Sequence, residues 1–163
     1  MSRVTLIPAT VALVDAELEG AERLAAEIGA SLPADWPPEH HDRATLEHTR
    51  DALGDPAAAG WWLHYFVSDA QLAGVGGFVG PPRNGVVELG YSVVPSLQRR
   101  GIATAAVAGL IERAHERGAH TVTANTLPEL EPSIGVLRKL GFEPAEPARD
   151  GVISFRRPSR SGR

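Results

Sequence analysis

The stretch at residues 87–106, VELGYSVVPSLQRRGIATAA, limits the possible folds more than any other part of the chain. It begins with the period-two alternation of a strand and ends in the small-residue pattern of a helix. Pro95 has no N–H to give to a ladder, so the strand expected over 86–94 must stop there. The helix expected over 101–117 carries Ile102, Ala106, Leu110 and Ala114 along one side. TVTAN, at 121–125, then returns to a strand pattern. Strand, helix and strand in this order form a right-handed crossover, which makes the Val86 and Thr121 strands parallel.

The remaining elements place that crossover in a larger sheet. A first strand is expected over 3–7. Thr10 is placed to cap one helix running to about Ile28, with Leu13, Glu17, Leu24 and Ile28 marking its pattern. SLPADWPP is a loop by its prolines. A second helix is expected over 39–53, stopped by Gly54, Asp55 and Pro56. In WWLHYFVS, Trp61, Leu63, Tyr65 and Val67 share one strand face. Another strand is expected over 71–79, followed by a turn at PPRNG. A short helix is expected over 132–140 and a last strand over 152–155. The order gives an α+β, three-layer α/β/α domain with a mixed, mostly antiparallel sheet.

Composition narrows the chemistry. The 163 residues fit one domain, placed at 1–157 and followed by a short basic tail at 158–163 that is expected to be disordered. There is no cysteine, which excludes disulfides, thiolate metal sites and a cysteine nucleophile. A formal charge of −4 argues against general nucleic-acid binding. No apolar run reaches the roughly 20 residues of a membrane span. Asp15, Glu17 and Glu19 come too early for a secretory signal. A cytoplasmic location is therefore expected, with neither membrane nor nucleic acid as partner.

Arg99, Arg100 and Gly101 stand where unpaired N–H groups and the positive dipole end of the helix attract phosphate. Gly101 lets an anion approach the backbone, and Ala103 and Ala105 leave the first turn unobstructed. The alternative is a surface turn with two solvated arginines.

Gln98-Arg99-Arg100-Gly101-Ile102-Ala103 resembles the Gln/Arg-x-x-Gly-x-Gly/Ala motif of the GNAT acetyltransferases. VELGYSVVP before it and SIGVLRKLGF after it are similar to blocks of the RimJ/RimL-like branch, which acetylates amines with acetyl-CoA. The three blocks span about 86–142. The resemblance implies a GNAT-like sheet in which the Val86 and Thr121 strands splay apart. It implies that backbone N–H groups of Arg99, Arg100, Gly101, Ile102, Ala103 and Thr104 hold the CoA pyrophosphate, next to Gln98. It also implies that pantetheine pairs with backbone near Val93 and Val94, much as a peptide adds to a sheet edge. A backbone N–H there would polarise the thioester carbonyl.

Direct transfer to an amine, through a ternary complex, needs a neutral amine and a proton for the leaving thiolate. Glu88, on the strand face opposite Val87, Leu89, Tyr91 and Val93, is either a proton acceptor, an anchor for the ammonium, or a solvent-facing glutamate. Ser133 matches the serine proposed in the RimL-like branch to protonate the thiolate; its alternative is a helix N-terminal serine. Many relatives have a tyrosine where this chain has Leu137. The usual asparagine before the serine is replaced by Leu130 or Glu131. Asn125 either takes over its contact with pantetheine or only caps its strand. Trp36 borders the acceptor site in the resemblance, and either anchors its loop or contacts substrate. The runner-up is a GNAT-fold protein that binds acyl-CoA as a sensor or structural partner without turnover.

Other patterns read as structural. GVGGFVG is followed by Pro81 and Pro82, so no helix opens there; its glycines are expected to permit close packing in a strand. EHHD and His48 lack tight metal-ligand spacing and read as a solvated helix face. No metal is expected. The acceptor is an amine, either a peptide N-terminus or a small molecule, and an exposed strand edge would permit a homodimer.

Overall fold

The computed structural model describes residues 3–126, 131–145 and 153–158. Its strands are β1 (Thr5–Pro8), β2 (Leu63–Ser68), β3 (Gln71–Phe78), β4 (Val86–Val93), β5 (Thr121–Thr126), β6 (Glu143–Pro144) and β7 (Ile153–Pro158). Among the described residues they form one sheet in the order β1-β2-β3-β4-β5-β7-β6. The β4–β5 pair is parallel and the other neighbours are antiparallel. The helices are α1 (Val11–Glu19), α2 (Ala21–Ile28), α3 (Arg43–Ala52), α4 (Ile102–Glu116) and α5 (Glu131–Lys139). This is the three-layer, mostly antiparallel architecture expected. Val152, and the tail beyond Pro158, lie outside the described residues.

Both sheet faces are covered. Phe66, Phe78, Val87 and Leu89 pack against Ile102, Ala106, Val107 and Leu110 of α4 and Leu137 of α5. Tyr65, Leu72 and Val75 pack on the other face against Val14 of α1, Leu24 of α2 and Leu46 of α3. Burying each large side chain stabilises by about 1.5–3 kcal/mol, so both layers are held chiefly by apolar burial.

Several boundaries differ from the sequence expectation. The helix expected over 10–28 is two helices: Thr10 caps α1 as expected, but Gly20 ends it and its carbonyl starts α2. Glycine is a weak helix former, and the break lets Val14 and Leu24 reach one cluster. The helix expected from Glu39 starts at Arg43, because His40 has φ 66° and Asp42 caps by accepting from Thr45 N at 2.9 Å. Leu63, Tyr65 and Val67 share a face as expected, but Trp61 precedes the strand and packs in the opposite cluster. There it meets Phe78 edge-on, and the Arg117 guanidinium lies 4.7 Å from its ring centroid. The glycines of β3 do permit close approach: a Cβ at Gly77 would fall 1.8 Å from the Trp62 carbonyl oxygen.

Inside this core His64 is 1% exposed. Burial, with the positive charges of Arg113 and Arg117, lowers its pKa to about 4 against the opposing Trp62 carbonyl. The unfolded chain then binds a proton that the folded chain does not between about pH 6.5 and 4, so stability falls as pH falls through that window. We expect His64→Gln to reduce this loss, which amounts to about 2 kcal/mol at pH 5 for the parent. Urea unfolding at pH 7 and pH 5 measures it; equal pH dependence in both proteins would remove His64 as the source.

The sheet also opens a gap. The β4–β5 ladder runs from Val86↔Thr121 to Leu89↔Ala124, whereas β4 continues with β3 to Val93 and β5 continues with β7 to Thr126. The strands splay beyond Leu89 and Ala124. Val94 N donates to Ala73 O at 2.9 Å, and Val79 N donates to Glu88 O at 3.0 Å. Antiparallel hydrogen bonding alternates along a strand. The backbone groups of Tyr91 and Val93 therefore point away from β3, towards the gap.

Candidate active site

The mouth of α4 forms the first half of the site. Gly101 has φ 80° and caps the helix without a side-chain bond. A Cβ built on it meets no heavy atom within 4 Å, so the space above the helix start is open. Arg99 also has a left-handed backbone, with φ 63°. Gln98 turns inward, and its Nε2 donates to Val93 O at 2.9 Å. A chamber of about 340 Å³ is lined by Val93, Gln98, Arg99, Gly101, Ile102, Ala103 and Thr104. Its donors, dipole and open glycine fit a pyrophosphate. Arg100 is exposed outside this lining. Val94 is buried, with its N–H given to Ala73 and its C=O accepting from Leu97 N. Of the two residues expected beside pantetheine, Val93 is the one that faces the gap.

A second chamber of about 520 Å³ lies across β4, with walls that include Trp62, Val75, Phe78, Leu89, Asn125 and Leu137. The two chambers share Glu39, His40, Tyr91, Ser92 and Ser133. Asn125 accepts at Oδ1 from Ser154 Oγ at 2.8 Å. Leu137 is 1% exposed and apolar, so it offers no proton. Leu130 lies outside the described residues, and Glu131 opens α5.

At the junction, the Tyr91 hydroxyl lies 2.9 Å from Ser133 Oγ and donates to Ser133 O at 3.1 Å. Burial raises the Tyr91 pKa, and the Ser133 hydrogen bond opposes the rise. Tyr91 therefore stays protonated and supplies a hydrogen bond. Sequence reasoning placed Tyr91 on one strand face with Val87, Leu89 and Val93 but missed this contact with a residue 42 positions away.

Glu88 and Trp36 stand apart from this junction. Glu88 is exposed on the same β4 face as Gly90 and Ser92, and lines neither chamber. Trp36 lines a shallow outer depression instead, and its Nε1 donates to Glu17 Oε2 at 3.0 Å. The histidines expected on a solvated helix face divide: His40 is exposed, but His41 is 4% exposed and hydrogen-bonds Glu17. Among the described residues, no group of His, Cys, Asp and Glu is arranged to hold a metal ion. No described helix is long and apolar enough to cross a membrane.

Residues 3–143 match the family model for the acetyltransferase (GNAT) domain. The chain belongs to the GNAT family. The fold is also that of solved GNAT acetyltransferases. A RimL ribosomal L7/L12 α-N-protein acetyltransferase in complex with CoA is 19% identical with a TM-score of 0.67, the match covering 96% of this chain and 94% of that one. A ribosomal-protein-S5-alanine acetyltransferase from Vibrio fischeri is 15% identical with a TM-score of 0.68, covering 100% and 99%. A ribosomal-protein-alanine N-acetyltransferase from Brucella melitensis is 21% identical with a TM-score of 0.64, covering 94% and 99%. No curated protein sequence matches. The GNAT assignment agrees with the motif order and with the RimJ/RimL-like blocks of the sequence. The α4 mouth and the chamber across β4 meet at Tyr91 and Ser133.

Proposed function

We propose that this chain is an N-acetyltransferase that moves the acetyl group of acetyl-CoA to a primary amine by direct transfer in a ternary complex. The observation that carries the reading is the meeting of the two chambers at Tyr91 and Ser133. Acetyl-CoA supplies an activated acetyl thioester. Backbone N–H groups from Arg99 to Thr104 hold its pyrophosphate. Tyr91 and Val93 offer backbone groups to the pantetheine arm, and the Val93 N–H polarises the thioester carbonyl. Ser133, supported by Tyr91, donates to the departing sulfur.

The acceptor chamber favours one amine on an apolar carrier, such as a peptide N-terminus. Its walls include Trp62, Val75, Phe78 and Leu89, and Glu39 is the carboxylate residue among its described lining. A polyamine or aminoglycoside would bring several charges to a wall with few counter-charges, at a desolvation cost. CoA release with Ala-Phe amide, spermidine and kanamycin tests the reading. Turnover of the peptide amide is expected. Tight acetyl-CoA binding without CoA release from any amine would overturn the reading, in favour of a non-catalytic acyl-CoA-binding protein.

Glu88 lies one strand repeat beyond Gly90 on the acceptor side, where its carboxylate is suited to hold an arriving ammonium. Exposed ion pairs contribute about 0.2–1 kcal/mol. Glu88→Gln is therefore expected to raise the amine KM by roughly 1.5–5-fold and to leave acetyl-CoA affinity unchanged. An unchanged KM in steady-state assays would make Glu88 an ordinary surface residue.

A further inference from the structure

Gly90 is exposed although it lies on β4, an inner strand of the sheet. A glycine weakens a strand, because it loses more backbone freedom than other residues and has no side chain to pack. It is found there where the strand bulges, where the backbone is left-handed, or where another group must come close. For the glycines of β3 the reason is visible. A Cβ at Gly74 would run into Ser92 O, one at Gly76 into the Phe66 ring, and one at Gly77 into Trp62 O. The fold gives Gly90 no such reason. The β3–β4 register runs unbroken from Gly74↔Val93 to Phe78↔Leu89, so there is no bulge. The φ of Gly90 is not in the left-handed region. Among the described residues, no heavy atom lies within 4 Å of a Cβ built on it.

The ladder fixes where that Cβ would point. Faces alternate along a strand, and directly opposite residues share a face. Gly90 therefore shares its face with Ser92, with Gly77 opposite it, and with Val75 opposite Ser92. All four line the chamber across β4. Helix α3 covers this face over β2 and β3, where Leu46 packs with Tyr65 and Val75, but it does not reach Gly90. The side chain that Gly90 lacks would stand in the chamber. We propose that Gly90 is a specificity-determining residue, which leaves room for a large apolar side chain, best an aromatic ring, at the second residue of a peptide acceptor. This rests on the N-acetyltransferase reading.

Distance selects the second residue. Ser92 belongs to the junction of the two chambers, and Gly90 is two residues back along β4, about 7 Å at the rise of a strand. In an extended peptide with its amine at the junction, the second Cα is about 5 Å from that nitrogen. Its side chain spans the remainder. The walls select the chemistry. Trp62, half-buried and edge-on to His48 at 5.2 Å between ring centroids, lines the chamber with Val75. An aromatic side chain from a neighbouring strand can cover a strand glycine. Here the acceptor supplies that cover: a flat ring lies on the bare backbone of Gly77 and Gly90, with Trp62 beside it. Aromatic pairs gain from such offset or edge-on contact beyond the area they bury.

Steady-state assays with Ala-Phe amide and Ala-Gly amide test the space over Gly90. The parent should prefer Ala-Phe amide. Gly90→Val should lower kcat/KM for Ala-Phe amide relative to Ala-Gly amide by roughly 10–200-fold, the discrimination a methylene gives in an apolar pocket. Gly90→Ala should move the ratio the same way by less, and should raise Tm by roughly 1–4 °C, because nothing in the fold needs the glycine. An unaltered ratio in both variants would overturn the proposal. So would a lower Tm in Gly90→Ala, which would make the glycine a requirement of the fold. A binding measurement needs no turnover. In the ¹⁵N-glycine-labelled parent with CoA, the Gly90 amide resonance should move more with Ala-Phe amide than with Ala-Gly amide; indifference to saturating Ala-Phe amide would overturn the proposal. Absence of CoA release with every amine would instead overturn the N-acetyltransferase reading, and the resonance would still report whether the amide reaches Gly90.

Discussion

Gly101→Val should weaken acetyl-CoA binding by roughly 10–100-fold, which corresponds to one or two charge-assisted hydrogen bonds lost at the phosphate. A Cβ at Gly101 has no heavy atom within 4 Å, so the new side chain is expected to grow into the space proposed for the ligand. Its φ of 80° adds a second effect, because a β-branched residue is strained there. Gly101→Asn separates the two, since Asn tolerates a left-handed backbone better. A lower Tm for Val only, with weaker binding in both variants, is the expected pattern in calorimetry and melting. Arg100→Ala should cost less, because the main donors belong to the backbone. Unchanged affinity in folded Gly101→Val would remove the α4 mouth as the phosphate site.

Ser133→Ala should slow turnover by roughly 10²-fold, the low end for general acid–base groups, with acetyl-CoA affinity intact. The loss should be larger for a thioester of a poorly leaving thiol than for one of an activated thiol. Ser133 lies within the first turn of α5, and its Oγ contacts the Tyr91 hydroxyl. A capping role would instead cost about 1 kcal/mol of stability without changing donor preference. Tyr91→Phe should reproduce part of the rate loss, because the serine loses the hydroxyl that orients it. A lower Tm with unchanged rates for both thioesters would assign Ser133 to helix stability alone.

The parts of this site legible in the sequence are those built from neighbours in the chain. Alternation before Pro95 and small residues after Gly101 specify a strand, a turn and a helix locally, so the crossover and the glycine-capped mouth of α4 were readable. The break at Gly20 was not, because the pattern through Leu24 and Ile28 suits either one helix or two. His41 was misread for a related reason: EHHD is polar throughout, and nothing nearby indicates that one imidazole folds under Trp36. Its partner Glu17 is 24 residues away on α1. The Tyr91–Ser133 contact spans 42 residues and exists only because α5 returns beside β4. Period two assigns a face to Tyr91; it does not say which hydroxyl waits there.

The short parallel ladder between β4 and β5 has a mechanical consequence. On one side of this seam β1 to β4 form a continuous antiparallel unit, and on the other β5, β7 and β6 form a second. Among the described residues, the rungs from Val86↔Thr121 to Leu89↔Ala124 are the ones that stitch the two units together along the sheet. A thioester arm lying in the open part of the seam, bonded to the Val93 edge, would act as a replaceable rung. Donor occupancy would then tie the two half-sheets into one cooperative block, and product departure would loosen the same joint that the next donor must close.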